Sequence, residues 1–320
     1  MELRSYLENT ARDVDLLIKR RFGDPRGGLE EASAHLLLAG GKRLRPALLL
    51  LAADAVKKGR SFTLVPAALA VELIHTFTLI HDDIMDRDSM RRGVSTVHTK
   101  WDEPTAILAG DVLYAKAFEY LSTVPAPEKL RVKAIALLAK TCAEICEGQY
   151  LDMSFEARDE VLEAEYLEMI RKKTGALFAA SAAIGGILAE GSRMQVDALY
   201  EFGLATGMAF QMHDDLLDII SRAEEMGKDR ASDMKKGKKT LIALITGEKG
   251  LDLSRFSESE SPKELDHLVS QLREAGVIRE VEEASERLIQ RGIQSLKILS
   301  PSAERELLEE LGRYFVTRRS

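Results

Sequence analysis

The apolar residues of this 320-residue chain return every three or four positions through one long stretch after another. SAHLLLAG, PALLLLAADAV, PAALAVELIHTFTLIHD, KAIALLAKTCAEICEGQYLDM and LYEFGLATGMAFQMHDDLLDII all carry this period. Alternating β-branched runs are almost absent, and most of the 8 prolines fall at expected helix starts or in loops. The pattern predicts an all-α protein of roughly ten or more helices, several of them buried on every side. With 45% hydrophobic residues the chain can build a substantial core. No Gly/Ser-rich or low-complexity block divides it, so residues 1–320 are expected to form a single domain. The pattern is weakest at 121–129 and 249–263, the second expected to be a charged surface loop followed by peripheral helices.

A formal net charge of −7 argues against a nucleic-acid binder. The charged N-terminal MELRSYLENTARDVDLL lacks the apolar core of a secretion signal. Apolar stretches such as 46–56 are too short to span a bilayer, so no stable membrane insertion is expected. Cys142 and Cys146, four apart in a helical pattern with no Cys/His cluster nearby, read as buried thiols of a reduced, cytoplasmic protein.

Two acidic motifs interrupt the apolar pattern. In TFTLIHDDIMDRDSMRRG, residues 76–93, an apolar run ends in Asp82, Asp83, Asp86 and Asp88, and Arg91 and Arg92 follow. The core repeats 132 residues later in MAFQMHDDLLDII, which carries Asp214, Asp215 and Asp218. On a helix, Asp82 and Asp86 share a face, as do Asp214 and Asp218, while Asp83 and Asp215 lie about 100° round. Such carboxylates repel one another, and near a helix C-terminus the macrodipole adds to the cost. One copy alone reads as a solvated helix end. Two copies, each after a histidine and a long apolar run, point to hard divalent cations. Mg²⁺ commonly takes one or two carboxylates and fills its shell with water and phosphate oxygens.

Four basic clusters accompany them: Lys42, Arg43 and Arg45; Arg91 and Arg92; Arg171, Lys172 and Lys173 with Thr174; and a lysine-rich run including Lys228, Arg230, Lys235, Lys236, Lys238 and Lys239. None has Walker A spacing, and each alone reads as solvated surface. Together with the acidic motifs they suit two phosphorylated ligands, one held through Mg²⁺ and one directly by Lys and Arg.

In their order, GGKRLRP, HDDIMDRDSMRRG, GQYLD, KTG, FQMHDDLLD and GKDRASDMKKGKKT resemble the motifs of the trans-isoprenyl diphosphate synthases over nearly the whole chain. The resemblance implies one large helical bundle of the isoprenoid synthase type, with the two motifs facing each other across the mouth of a deep central cavity. It implies a prenyltransferase that joins isopentenyl diphosphate head to tail, in trans, to dimethylallyl, geranyl or farnesyl diphosphate, with two or three Mg²⁺ per subunit and a homodimeric assembly. By the same resemblance, Asp82, Asp83, Asp86, Asp214, Asp215 and Asp218 form the metal sites. Arg91, Lys173, Lys228 and Lys238 contact the allylic diphosphate; Lys42, Arg45, His75 and Arg92 hold isopentenyl diphosphate. Thr174 and Gln211 join Lys173 beside the reacting carbons, and the departing diphosphate takes the final proton. One position departs from the family: Ala231 stands where G-K-x-x-G-x-D has its second glycine.

Phe77 lies five residues before Asp82, roughly 7–8 Å deeper along the helix. It reads either as a core aromatic or as a floor that stops the growing chain. A single aromatic there, with the small Thr78 next to it, resembles the geranylgeranyl type and implies a C20 product over a farnesyl (C15) or longer one. Other classes of function remain as alternatives. A di-iron bundle would use Glu72-x-x-His75 and Glu264-x-x-His267, although the second lies in a charged, exposed-looking segment. A terpene cyclase would usually carry an Asn/Ser-rich second motif. A non-catalytic regulatory subunit would often lack one acidic motif, and both are intact. Trp101 and Phe118 are expected to pack, and Gln149 and Asp152 to bond between helices. The closing RYFVTRRS is either a surface tail or a cover over the cavity mouth.

Overall fold

The structure, a computed structural model, describes residues 2–220, 236–251 and 262–317. Helices dominate, as the apolar period predicts. The described residues fall into two compact units, each assembled from three separated stretches of chain. The first comprises Met1–Cys142, Ala180–Tyr200 and Lys297–Leu308; the second comprises Ala143–Ala179, Glu201–Leu296 and Glu309–Ser320.

The first unit holds α1 (Leu3–Phe22), α2 (Gly28–Leu38), α3 (Leu44–Val56), α4 (Val65–Met85), the short α5 (Val97–Lys100) and α6 (Glu103–Ser122). α4 starts with Pro66 in its first turn, where a missing N–H costs nothing. It then buries Ala67–Leu69, Val71, Leu73, Ile74 and Ile80. Leu48, Leu49 and Leu51 of α3 are equally enclosed, each such side chain adding about 2 kcal/mol. A helix buried on so many sides cannot keep acids at its end without partners. α6 begins on Asp102, whose carboxylate accepts the Thr105 N–H at 2.7 Å.

One element departs from the helical expectation. Met90–Arg91 (β1) and Val94–Ser95 (β2) pair as an antiparallel hairpin, Met90 opposite Ser95 and Arg91 opposite Val94. Its two central residues, Arg92 and Gly93, both have positive φ, 53° and 74°, the geometry of a tight primed turn. Strands of two residues are too short to show alternation.

α7 (Glu128–Glu156) carries a buried stripe through Leu138, Cys142, Ile145 and Gln149. Cys142 lies in it, but Cys146 is exposed, which corrects the reading of both thiols as buried. The stripe steps from 142 to 145 to 149, and Cys146 falls one position past it.

In the second unit, α8 (Glu163–Ile170) runs into a π-helical turn, Arg171–Gly175, before α9 (Ala176–Leu188) begins. α10 (Arg193–Ile220), α11 (Leu241–Glu248), α12 (Pro262–Glu274), α13 (Val277–Ser295) and α14 (Ala303–Thr317) follow; the second unit holds all of α11, α12 and α13 and only parts of α9, α10 and α14. The core here gathers Phe155, Tyr166, Ile170, Leu216, Ile242 and Leu272. Phe178, Phe210 and Phe315 stack edge to face or tilted at 5.4–5.5 Å. The RYFVTRRS segment is thus helical as far as Thr317, with its phenylalanine in the core.

Candidate active site

The first acidic motif caps the end of α4. Asp82 and Asp86 are half-buried and one turn apart, and the Asp86 N–H bonds the Asp82 carbonyl at 2.7 Å. Asp83 points elsewhere and is fully enclosed. Its Oδ1 accepts from Arg91 Nε at 2.7 Å, while its Oδ2 is buried without a hydrogen-bond partner. Burial raises the Asp83 carboxyl above its ordinary range, and Arg91 pulls the other way. Arg91 also reaches Asp88 at 3.2 Å. The primed turn of the hairpin sends Arg92 in another direction, where its guanidinium donates to the Gly40 and Leu36 carbonyls at 2.6 and 3.1 Å.

GGKRLRP sorts into inner and outer residues. Arg43, in the left-handed region with φ 49°, is buried and bonds Asp15 at 2.9 Å, Glu72 at 2.5 Å and the Leu37 carbonyl at 2.8 Å. It fastens the loop to α1, α2 and α4. Lys42 is exposed and Arg45 half-buried, so they remain at the surface on either side of this anchor. His75 is half-buried on α4. Desolvation first, then Arg45, Arg92, Arg43 and Arg91, hold its imidazole well below the usual value, so it is neutral. The cluster of arginines and a neutral histidine is a ready receptor for an anion with several oxygens.

Phe77 packs edge-on against His81 at 4.7 Å and Tyr114 of α6 at 5.3 Å, and Tyr114 stacks on Phe118 at 5.0 Å. Phe118 therefore packs as expected, and Trp101 packs on His35 at 5.3 Å. Thr78 uses its hydroxyl within the helix, donating to the His75 carbonyl at 2.8 Å.

In the second unit the KTG segment forms the π turn. A Cβ on Gly148 would lie 2.3 Å from the Lys173 backbone nitrogen, so only glycine lets α7 approach the turn this closely. Lys173 then donates to Asp152 of α7 at 2.5 Å, the interhelix bond expected of GQYLD, while Lys172 turns outward to Glu147 at 2.8 Å. Thr174 donates to Gln211 Oε1 at 2.8 Å, Gln211 Nε2 donates to Asp215 Oδ1 at 2.7 Å, and the Tyr166 hydroxyl donates to Asp215 Oδ2 at 2.8 Å. A pocket of about 60 Å³ is bordered by Lys173, Thr174, Gln211, Asp215 and Lys238, so the structure brings these predicted residues together. Asp214 is half-buried and Asp218 buried in the last turns of α10. Lys228 and Ala231 lie outside the described residues. Tyr166 escaped the sequence reading: its partner is 49 residues away, and it belongs to neither an acidic nor a basic motif.

The polyprenyl synthetase family profile matches residues 27–272. The geranylgeranyl diphosphate synthase of Methanosarcina mazei is 46% identical over 320 residues, covering 99% of this chain and 98% of that protein. The chain belongs to the polyprenyl synthetase family. Another relative, the geranylfarnesyl diphosphate synthase of Natronomonas pharaonis, is 44% identical over 306 residues, covering 91% of this chain and 90% of that one. The solved geranylgeranyl pyrophosphate synthetase of Geoglobus acetivorans superposes with a TM-score of 0.90 at 44% identity, over 98% of this chain and 99% of that one.

For a polyprenyl synthetase the acids fit Mg²⁺ shared with a diphosphate. Among the described residues no three His, Cys, Asp or Glu side chains cluster closely enough to hold a metal by themselves. An ion that takes one or two carboxylates and completes its shell with phosphate and water needs no such cluster. The di-iron alternative loses its first ligand pair, because Glu72 is buried against Arg43 and lies 3.7 Å from Arg92. Its second pair, Glu264 and His267, is exposed on α12.

Proposed function

We propose that this chain is a trans-prenyltransferase that joins isopentenyl diphosphate to an allylic diphosphate and releases geranylgeranyl diphosphate. The observation that carries the reading is the end of α4, where Asp82 and Asp86 share a face beside the Arg91–Arg92 hairpin. Family membership and the names of its similar proteins support it.

Asp82 and Asp86 would hold Mg²⁺ with the allylic diphosphate, and Asp214 and Asp218 a further ion. When bound, Mg²⁺ supplies positive charge to offset the leaving diphosphate. Arg91, Lys173, Lys228 and Lys238 add to that electrostatic stabilisation; Lys42, Arg45, His75 and Arg92 hold isopentenyl diphosphate. Cleavage of the allylic C1–O bond sends its electron pair out with diphosphate. The isopentenyl double bond attacks the cationic C1, and a proton leaves the isopentenyl C2 for the departing diphosphate. Thr174 and Gln211 turn oxygen atoms toward the cationic carbon, and the apolar helix faces keep water away.

The product length rests on Phe77, since one similar protein is named for C20 and another for a longer chain. The Phe77–Tyr114–Phe118 stack supports a floor with depth behind it. We further propose a single catalytic domain acting in the cytoplasm as a homodimer. Exposed Ile107 and Leu108 on α6 offer apolar surface to a second copy, and no helix among the described residues is long and apolar enough to cross a membrane.

Purified chain alone, given labelled isopentenyl diphosphate and dimethylallyl diphosphate, should transfer label to an organic-soluble, acid-labile product only when Mg²⁺ is present. No transfer would overturn the reading and favour a regulatory subunit. Label in a free hydrocarbon would favour a cyclase. Light scattering should return about twice the 35.5 kDa of one chain.

A further inference from the structure

Tyr166 lies on α8, seven residues before Lys173, and no part of it reaches solvent. A phenol so enclosed needs a partner for its hydroxyl, and it donates to Asp215 Oδ2. Gln211 Nε2 donates to Oδ1 of the same carboxylate. A carboxylate only accepts, so the Gln211 amide must present its NH₂ to Asp215. Its oxygen is then fixed on the opposite side, where Thr174 donates to it. The direction of every bond in the chain follows from Asp215 accepting at both of its oxygens, one of them held from behind by Tyr166. Were Asp215 to rotate away, the amide could flip. Its NH₂ would then stand beside Thr174, placing the positive end of the amide dipole where a cationic carbon is expected. The Tyr166 hydroxyl stays protonated throughout, because burial, and next the Asp215 charge, push its ionisation well above a phenol's ordinary range.

We infer that Tyr166 is a positioning residue for prenyl transfer. It holds Asp215 so that the Gln211 oxygen and the Thr174 hydroxyl face the reacting carbons, and Asp215 serves as an anchor in the second acidic motif instead of as a metal ligand. The inference rests on the proposed prenyl transfer and adds a residue that no acidic or basic motif contains. It also divides the second motif by role: Asp214 and Asp218 for Mg²⁺, Asp215 for the polar chain.

The test is steady-state condensation of geranyl diphosphate with labelled isopentenyl diphosphate by full-length Tyr166→Phe, which removes one hydroxyl. The expected loss is about tenfold in kcat, with both KM values and the Mg²⁺ midpoint within about twofold of wild type. The share of geranyl diphosphate hydrolysed to alcohol, compared with that condensed, should rise severalfold. A structural role alone would lower melting temperature and active fraction without moving that partition. Unchanged kcat and partition, or a loss seen mainly as raised KM, would overturn the inference. Asp215→Asn should lower kcat without shifting the Mg²⁺ midpoint; a midpoint shifted tenfold would make Asp215 a ligand and overturn it even if Tyr166→Phe does not fold. In the double variant the losses should not multiply, because both act through one chain; multiplied losses count against the inference. A wild-type chain that does not condense sinks the prenyl-transfer reading itself. A condensing wild type with an unaffected Tyr166→Phe sinks only this inference.

Discussion

Asp83 and Arg91 close the turn between α4 and the hairpin, with Arg91 Nη2 2.6 Å from Asp83 Oδ1 and the carboxylate fully enclosed. The pair divides the first acidic motif by burial. Asp83 fixes the arginine and the turn, and Asp82 and Asp86 are half-buried at the helix end.

Asp83→Ala should therefore act on stability. Removing one member of a buried pair strands the other, although Arg91 keeps Asp88 at 3.2 Å. A loss of about 3 kcal/mol is expected in urea denaturation. A loss under about 1 kcal/mol would show that the pair does not hold the turn.

Asp82→Ala should act on catalysis. Loss of a carboxylate that shares Mg²⁺ with the leaving group should lower kcat about a thousandfold and raise the Mg²⁺ needed for half-maximal rate, while the melting temperature changes little. Near-normal turnover would remove Asp82 from the metal site.

Phe77→Ala should lengthen the products. It empties the space between His81 and Tyr114, both now in ring contact with Phe77. Chromatographic sizing should show products longer than C20. An unchanged product profile would assign Phe77 to the core only.

His75 predicts a slope of stability with pH. Its folded-state value lies well below 6.5, lowered first by burial and then by the arginines around it. Above 6.5 both folded and unfolded chains carry a neutral ring, and its contribution is complete. As pH falls through 6.5 the unfolded chain takes up a proton that the fold refuses, and stability is lost at up to about 1.4 kcal/mol per pH unit. His75→Gln should flatten that slope in melting curves between pH 7 and 5. An equal slope in the variant would mean other groups govern it.

Gly148→Ala places a Cβ 2.3 Å from the Lys173 nitrogen. The π turn must then shift, with an expected cost of about 2–3 kcal/mol and a matching loss of activity, read by thermal melting beside turnover. A variant with wild-type melting and rate would show the contact to be dispensable.

The helices and both acidic motifs could be read from the sequence because apolar spacing and repeated carboxylates are local signals. The hairpin could not, since its strands are two residues long. The π turn at KTG leaves no mark on side-chain spacing, because it changes which backbone groups pair and not which faces are apolar. Arg43 could not be told from Lys42 and Arg45, because its inward role depends on Asp15 and Glu72, which lie 28 and 29 residues away. The Tyr166–Asp215 bond is a still longer-range pairing of the same kind.

The most direct test of the account is to size the products of the wild-type chain with labelled isopentenyl diphosphate and each primer in turn: dimethylallyl, geranyl and farnesyl diphosphate. A prenyltransferase limited by Phe77 converts all three to a C20 diphosphate in the presence of Mg²⁺. Accumulation of C15, extension beyond C20, or no condensation with any primer would contradict it.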